Sequence, residues 1–123
     1  MTVEIDLSGR VALVVGGGGG GIGTAVCQRI ASAGADIIAV SAVADHVAAT
    51  TRDVESLGRR ASAQVADVTD FDALRAAIDA GAAEVGPPDL VVNVVGGATP
   101  DHWHRLTDFP IESFDHLMTT NLR

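Results

Sequence analysis

The chain has 123 residues, enough for one domain, and 47% of them are apolar but only 3% aromatic. The net charge is -8 and every basic residue is arginine, so we expect no nucleic acid and no anionic membrane as partners. No apolar run is long enough to cross a bilayer, residues 1–6 are acidic and unlike a signal peptide, and Cys27 is the single cysteine, so we expect a cytoplasmic protein.

Apolar runs alternate with helical segments along the first half of the chain. The run Val11–Val15 predicts a buried strand. Consecutive glycines at 16–21 separate it from a helix predicted over 22–33. A second strand is predicted over 36–40, followed by a helix over about 44–57.

The second half continues the alternation. A third strand is predicted over 61–66. Thr69 and Asp72 form a Thr-x-x-Asp signal for a helix that runs to about residue 83. A fourth strand over 90–95 and a loop over 96–108 lead to a last helix, with Pro110 in its first turn.

This order of elements predicts an α/β fold. Strands that alternate with helices through short connections form a parallel sheet with helices on both faces. Right-handed crossovers and a reversal after the third strand give a doubly wound, Rossmann-like sheet of strand order 3-2-1-4. Ligands of such sheets bind beyond the carboxyl ends of the strands, where the order reverses.

The glycine run lies at that reversal and is the strongest functional signal. A helix that begins directly after a strand presents its free N–H groups and positive dipole end to one point, and glycines leave no Cβ in the way of a ligand. This arrangement is typical of phosphate binding. We therefore predict pyrophosphate contacts from the loop at Gly17, Gly20, Gly21 and Ile22; the alternative is a flexible turn without a ligand.

Polar residues end the later strands at the same edge. Ser41 can bond a ribose hydroxyl or a 2′-phosphate without selecting strongly between them. Asp67, followed by Val68, can accept a hydrogen bond from an adenine amino group. Asn93 needs partners because it lies in an apolar strand: it can tie neighbouring strands together, and a contact with a ribose is compatible with that role.

Other polar or reactive residues favour structural roles. Asp45 is expected to cap the second helix. His102 and His104 are too few for a metal site, so we predict no metal. Cys27 is expected to face the core as a small apolar residue.

With these patterns the sequence resembles the short-chain dehydrogenase/reductase family. Its Thr-Gly-x-x-x-Gly-x-Gly is matched by residues 16–23, with Gly16 in the place of the threonine. Three shorter family motifs follow in the same order: Asp-Val at Asp67-Val68, Asn-Asn-Ala-Gly at residues 93–96, where Asn93 and Gly96 carry over, and Asn-Leu at Asn121-Leu122.

The resemblance covers the whole chain but about the first half of a family member. It implies an NAD or NADP cofactor, with Gly96 among the cofactor-binding residues, and a catalytic Asn121 that anchors a water in the proton relay. The family's serine and Tyr-x-x-x-Lys have no counterpart, and the sequence contains no tyrosine and no lysine. We therefore expect residues 1–123 to be a truncated NAD(P)-binding domain that is not catalytic alone.

Several expectations follow for cofactor, partners and identity. Ser41 and Ala42 offer neither a carboxylate nor an arginine, so we expect little discrimination between the cofactors and a slight preference for NAD. The apolar fourth strand and last helix favour a homo-oligomer. The alternative function is a non-catalytic dinucleotide-binding or interaction protein from a degenerate or truncated gene, and a third, less favoured class is a methyltransferase.

Overall fold

Four strands form one parallel sheet in the computed structural model, which describes residues 2–122. They are β1 (Val11–Val15), β2 (Asp36–Ser41), β3 (Ala61–Val65) and β4 (Leu90–Asn93). The spatial order is β3-β2-β1-β4, and each neighbouring pair is parallel. The predicted doubly wound, Rossmann-like order 3-2-1-4 is therefore confirmed.

Four α-helices follow the strands: α1 (Ile22–Ser32), α2 (Ala44–Ser56), α3 (Phe71–Val85) and α4 (Ile111–Asn121). Two short 3-10 helices, Pro100–His102 and Leu106–Asp108, lie in the segment predicted as a loop. None of the helices in residues 2–122 has the length and apolar character needed to cross a membrane.

The sheet separates two apolar cores, because alternate residues of a strand point to opposite faces. One core joins odd-numbered residues of β1 to Ala77 and Val85 of α3. The other joins even-numbered residues of β1 to α1 and α2, and it contains Cys27, which is fully buried as predicted. Burial raises the pKa of Cys27 to about 12, so this thiol is an inert core residue.

The cap of α3 is one of the two expected residues, Thr69 and Asp70, and the cap of α2 differs from the prediction. Asp70, and not Thr69, caps α3: its Oδ1 accepts a hydrogen bond from the Ala73 N–H at 3.0 Å. The cap position of α2 is Val43, which has no side-chain acceptor, and Asp45 lies inside the first turn. A carboxylate there still favours the helix through the dipole.

The ends of the strands differ from the prediction by one or two residues. β4 ends at Asn93 and not at residue 95, because β1 has already turned into the glycine loop and offers one last acceptor, the Val15 carbonyl, to the Val94 N–H at 2.9 Å. β2 extends to Ser41, which pairs with Val65 of β3.

A buried carboxylate ties the opposite, amino-terminal edge of the sheet together. Asp36 begins β2 and accepts hydrogen bonds from the Arg59 and Arg60 guanidinium groups and from the Arg60 main chain, at 2.9 to 3.1 Å. Arg60 also donates to the carbonyl of Val85 at the end of α3. Burial acts to raise the pKa of Asp36, but the hydrogen bonds from Arg60 and Arg59 outweigh it and leave the pKa below its ordinary value.

Candidate functional site

The carboxyl edge of the sheet carries an open cavity of about 580 Å³. It lies where the strand order reverses, beside the glycine loop that connects β1 to α1. Its walls come from the end of β2, from segments that follow the strands and from α4: Gly16, Val40, Ser41, Ala42, Ala66, Asp67, Val68, Thr69, Val95, Asp115, His116, Thr119 and Thr120. The structure thus brings the predicted residues Ser41, Asp67 and Val68 to one cavity.

Some main-chain N–H groups of the glycine loop donate hydrogen bonds within the fold, and others are left available to a ligand. The N–H groups of Gly16 and Gly17 donate to the Val40 carbonyl at 2.8 and 3.0 Å, so Gly17 is bound to the sheet. The Gly20 N–H donates to the Thr24 hydroxyl at 3.0 Å.

The first residues of α1 keep their donors. Within residues 2–122 no acceptor meets the N–H of Gly21 or Ile22, as expected for the first turn of a helix. Gly21 has no neighbour within 4 Å of the position that a Cβ would take. These donors therefore face open space, and the loop fits an anionic group such as a pyrophosphate.

The inner side of the loop is closely packed, in contrast to its outer side. A Cβ on Gly23 would lie 1.7 Å from the carbonyl oxygen of Gly16, so no other residue fits there without moving the loop. Gly23 is therefore the contact that seats α1 against the end of β1.

Ser41 lies at the end of β2, where its hydroxyl oxygen is used as an acceptor and its hydroxyl proton is not. Its Oγ accepts a hydrogen bond from the Val43 N–H at 3.3 Å. The hydroxyl proton is not needed for that bond and is available to a ribose hydroxyl or a phosphate oxygen.

Asp67 follows β3 and is fixed by its own loop. Its Oδ1 accepts from the Thr69 main chain at 2.9 Å and from the Thr69 hydroxyl at 2.7 Å, while no described residue donates to Oδ2. The Thr69 hydroxyl, the Thr69 main chain and the nearby His116 lower the pKa of Asp67 from its ordinary value. Asp67 is thus an oriented, ionised acceptor at the cavity wall, and Val68 packs against the apolar core beneath it.

Asn93 does not tie strands together, and that interpretation is wrong. Its Oδ1 accepts from the Val95 N–H at 3.1 Å, a local turn at the end of β4. The residue is exposed at the sheet edge.

Asn121 holds the loop after β4 in place. Its Oδ1 accepts from the Gly97 N–H at 2.6 Å, and its Nδ2 donates to the carbonyls of Gly97 and Leu117 at 3.0 and 2.9 Å. Gly96 has a φ of +156°, and a Cβ there would lie 2.6 Å from the Asn121 Oδ1. The side chain is therefore committed to positioning Gly96 and Gly97, and its catalytic role stays a prediction.

Sequence reasoning missed His116 as part of the site. It lines the cavity from α4, and its ring stacks on His102 with centroids 4.6 Å apart. The helical spacing of His116, Thr119 and Thr120 was the available signal, because residues three and four apart share a helix face. Within residues 2–122 no group of three or more metal-ligating side chains is close enough to hold a metal ion.

Comparison with known proteins identifies the family. Residues 10–123 match the family described as short chain dehydrogenase. The chain is 36% identical over 105 residues, or 83% of its length, to 2,3-dihydro-2,3-dihydroxybenzoate dehydrogenase of Bacillus subtilis, of which it covers 39%.

Solved structures give the same result. A short-chain type dehydrogenase/reductase from Mycobacterium marinum superposes with a TM-score of 0.85 at 30% identity, covering 95% of this chain and 46% of that one. Carveol dehydrogenase from Mycobacterium avium, in complex with NAD, superposes with a TM-score of 0.84 at 28% identity, covering 92% of this chain and 44% of that one. The chain spans less than half the length of these relatives.

Proposed function

The chain belongs to the short-chain dehydrogenase family, and we propose that it is the dinucleotide-binding half of an NAD- or NADP-dependent oxidoreductase acting on an alcohol or ketone. One observation carries the proposal: the N–H groups of Gly21 and Ile22 have no acceptor in residues 2–122, and they begin the helix that follows the glycine loop, whose first residue, Gly16, lines the cavity. A free helix start, an absent Cβ and an adjoining cavity are the features that a dinucleotide requires.

The proposed cofactor position uses both sides of this edge. The pyrophosphate lies over residues 17–23, with N–H donors from Gly21 and Ile22 and with Gly17 and Gly20 shaping the loop. The adenosine ribose lies at Ser41. The adenine enters the cavity beside Val68 and donates its amino group to Asp67, whose Oδ2 has no donor among the described residues.

The other end of the cofactor lies toward Asn93 and Gly96. The Asn121 amide fixes this loop through its bonds to Gly97, so it orients the nicotinamide side of the site. A bound nicotinamide supplies hydride acceptance and donation. The chain's own contribution is binding and orientation, because it has no tyrosine or lysine to act as the family's proton donor and its partner.

We propose a slight preference for NAD over NADP near neutral pH. Neither Ser41 nor Ala42 can pair with a 2′-phosphate as an arginine does, and the acidic chain repels the additional charge. The carveol dehydrogenase relative is bound to NAD. We further propose a homo-oligomer, because β4 and α4 expose apolar side chains, and a cytoplasmic location, because the chain has a single, buried cysteine.

Calorimetric titration of the purified chain with NADH, NADPH and S-adenosylmethionine tests the function. We expect saturable binding of NADH, NADPH within about 30-fold of it, or about 2 kcal/mol, and no binding of S-adenosylmethionine. Binding of S-adenosylmethionine alone would assign the glycine loop to a methyltransferase instead.

A further inference from the structure

His46 lies against the glycine loop although it belongs to α2. A Cβ built on Gly18 would lie 2.7 Å from the His46 Cβ, and one built on Gly19 would lie 3.3 Å from the His46 Nδ1. Because residues 18 and 19 are glycines, the imidazole occupies space that side chains of the loop would otherwise fill.

His46 follows closely in the chain after Ser41, the proposed contact of the adenosine ribose. In dinucleotide folds the ribose lies between the end of the second strand and the glycine loop, and a charged residue at this place distinguishes a 2′-hydroxyl from a 2′-phosphate. One short turn carries both relevant side chains. The Val43 N–H donates to the Ser41 Oγ at 3.3 Å, and the His46 N–H donates to the Val43 carbonyl at 3.1 Å.

The charged groups around His46 are few. It shares a cavity of about 220 Å³ with Gly19, Gly20, Thr24, Asp45, Ala49, Thr50 and Asp53. The carboxylates Asp45 and Asp53 both come from α2, and Asp53 is bonded to Gln28 of α1 at 3.0 Å. The glycine loop and α1 contribute no charged side chain to this cavity. Among the residues that line it, only His46 can carry a positive charge.

We propose that His46 contacts the 2′ position of the adenosine ribose and determines the preference between NAD and NADP. As an imidazolium it pairs with the 2′-phosphate of NADP, and as a neutral imidazole it leaves NAD favoured. The inference rests on the dinucleotide site proposed above. Histidine side chains change charge between about pH 5 and 8, so the cofactor preference moves toward NADP as the pH falls. Asp45 and Asp53, which line the same cavity, oppose the phosphate at every such pH.

The test is titration of NADH and NADPH against the wild-type chain and His46→Gln at about pH 8 and about pH 6. The 2′-phosphate itself loses charge toward the lower pH, and this change is common to both proteins. The difference between them therefore isolates the imidazole. We expect the ratio of NADPH to NADH affinity to rise about fivefold more in the wild type than in His46→Gln, as for an exposed charge pair.

Two further variants complete the design. His104→Gln, at an exposed position before α4, is expected to keep the wild-type pH dependence, and His46→Arg is expected to favour NADPH at both pH values. The assignment of His46 is overturned if NADH binds but His46→Gln and wild type show the same pH dependence, or if His46→Arg leaves the preference unchanged. If the folded wild type binds neither cofactor at either pH, the dinucleotide site itself is overturned.

Discussion

Two glycines at the junction of the glycine loop and α1 have different roles. Gly23 lies where a Cβ would meet the Gly16 carbonyl at 1.7 Å, whereas Gly21 has open space in front of it. The first is required by packing and the second by the proposed ligand. The sequence shows six consecutive glycines and Gly23 without distinguishing these roles, because only the path of the loop decides which Cα faces the helix.

Gly23→Ala is expected to destabilise the fold by about 2 kcal/mol, because the new methyl group must push the loop away from α1. Urea unfolding of the purified variant gives the measurement. A loss below about 0.5 kcal/mol would mean that the loop moves aside at little cost and that the close contact is not important for stability.

At the polar positions the sequence identified the residues but not their bonds. Asp67 and Asn121 were recognised from their motifs, yet the bonds of Asp67 to Thr69 and of Asn121 to Gly97 depend on loops that residue patterns do not describe. His46 was not predicted because the residues it contacts, Gly18 and Gly19, are distant from it in the chain. The hydroxyl contact between Thr24 and Thr50 shows the same packing of α1 against α2.

At the amino-terminal edge of the sheet, Asp36 joins the start of β2 to Arg59 and Arg60, which precede β3. Through Arg60 it is also connected to the end of α3. Because its pKa is lowered in the folded state, Asp36 adds stability above its unfolded pKa, and this stability is lost as the pH falls through the folded pKa. The loss is therefore expected below about pH 4.

Asp36→Asn is expected to lower the free energy of unfolding by about 3 kcal/mol at neutral pH, since the arginines lose a buried charged partner. It also removes part of the acid sensitivity. Asp89→Asn is the matched control: Asp89 forms an exposed pair with Arg10 at 3.7 Å, so its loss is expected to cost less than about 1 kcal/mol. Chemical unfolding between about pH 3 and 7 makes the comparison, and equal effects of the two variants would contradict this role.

The order and type of the elements were predictable because each strand is a continuous apolar run and each helix carries an apolar stripe. The exact ends of the strands and helices were less predictable. β4 stops where β1 has turned away, which local composition does not show.

At the scale of the whole molecule, the 123-residue chain is expected to associate. Val91 of β4 is 68% exposed, and Ile111, Phe114 and Met118 of α4 are 63%, 50% and 40% exposed. An apolar strand edge beside an apolar helix face favours pairing with another chain. Light scattering at micromolar concentration is expected to show oligomers or poor solubility; a stable monomer with a cooperative melt would show that this surface is tolerated.

The same chain is expected to bind a dinucleotide without catalysing hydride transfer. Asn121 cannot donate a proton at neutral pH, and the sequence has no tyrosine or lysine. We expect no NADH oxidation with a panel of ketones, measured by absorbance on protein whose mass matches the 123 residues. Reproducible turnover by that protein would show that another side chain serves as the acid.

Dinucleotide binding at the glycine loop is the central claim, and titration of NADH against Gly21→Val tests it most directly. Gly21 has a φ of -99°, a ψ of -143° and no atom within 4 Å of a Cβ, so a side chain has space there, and a thermal melt checks that the variant is folded. Ala83→Val, on an exposed turn of α3, is the matched control and is expected to bind NADH normally. We expect Gly21→Val to bind NADH at least tenfold more weakly, or about 1.4 kcal/mol, because a branched side chain stands where the pyrophosphate must approach the backbone. Equal NADH affinity in the wild type and a folded Gly21→Val would contradict the account.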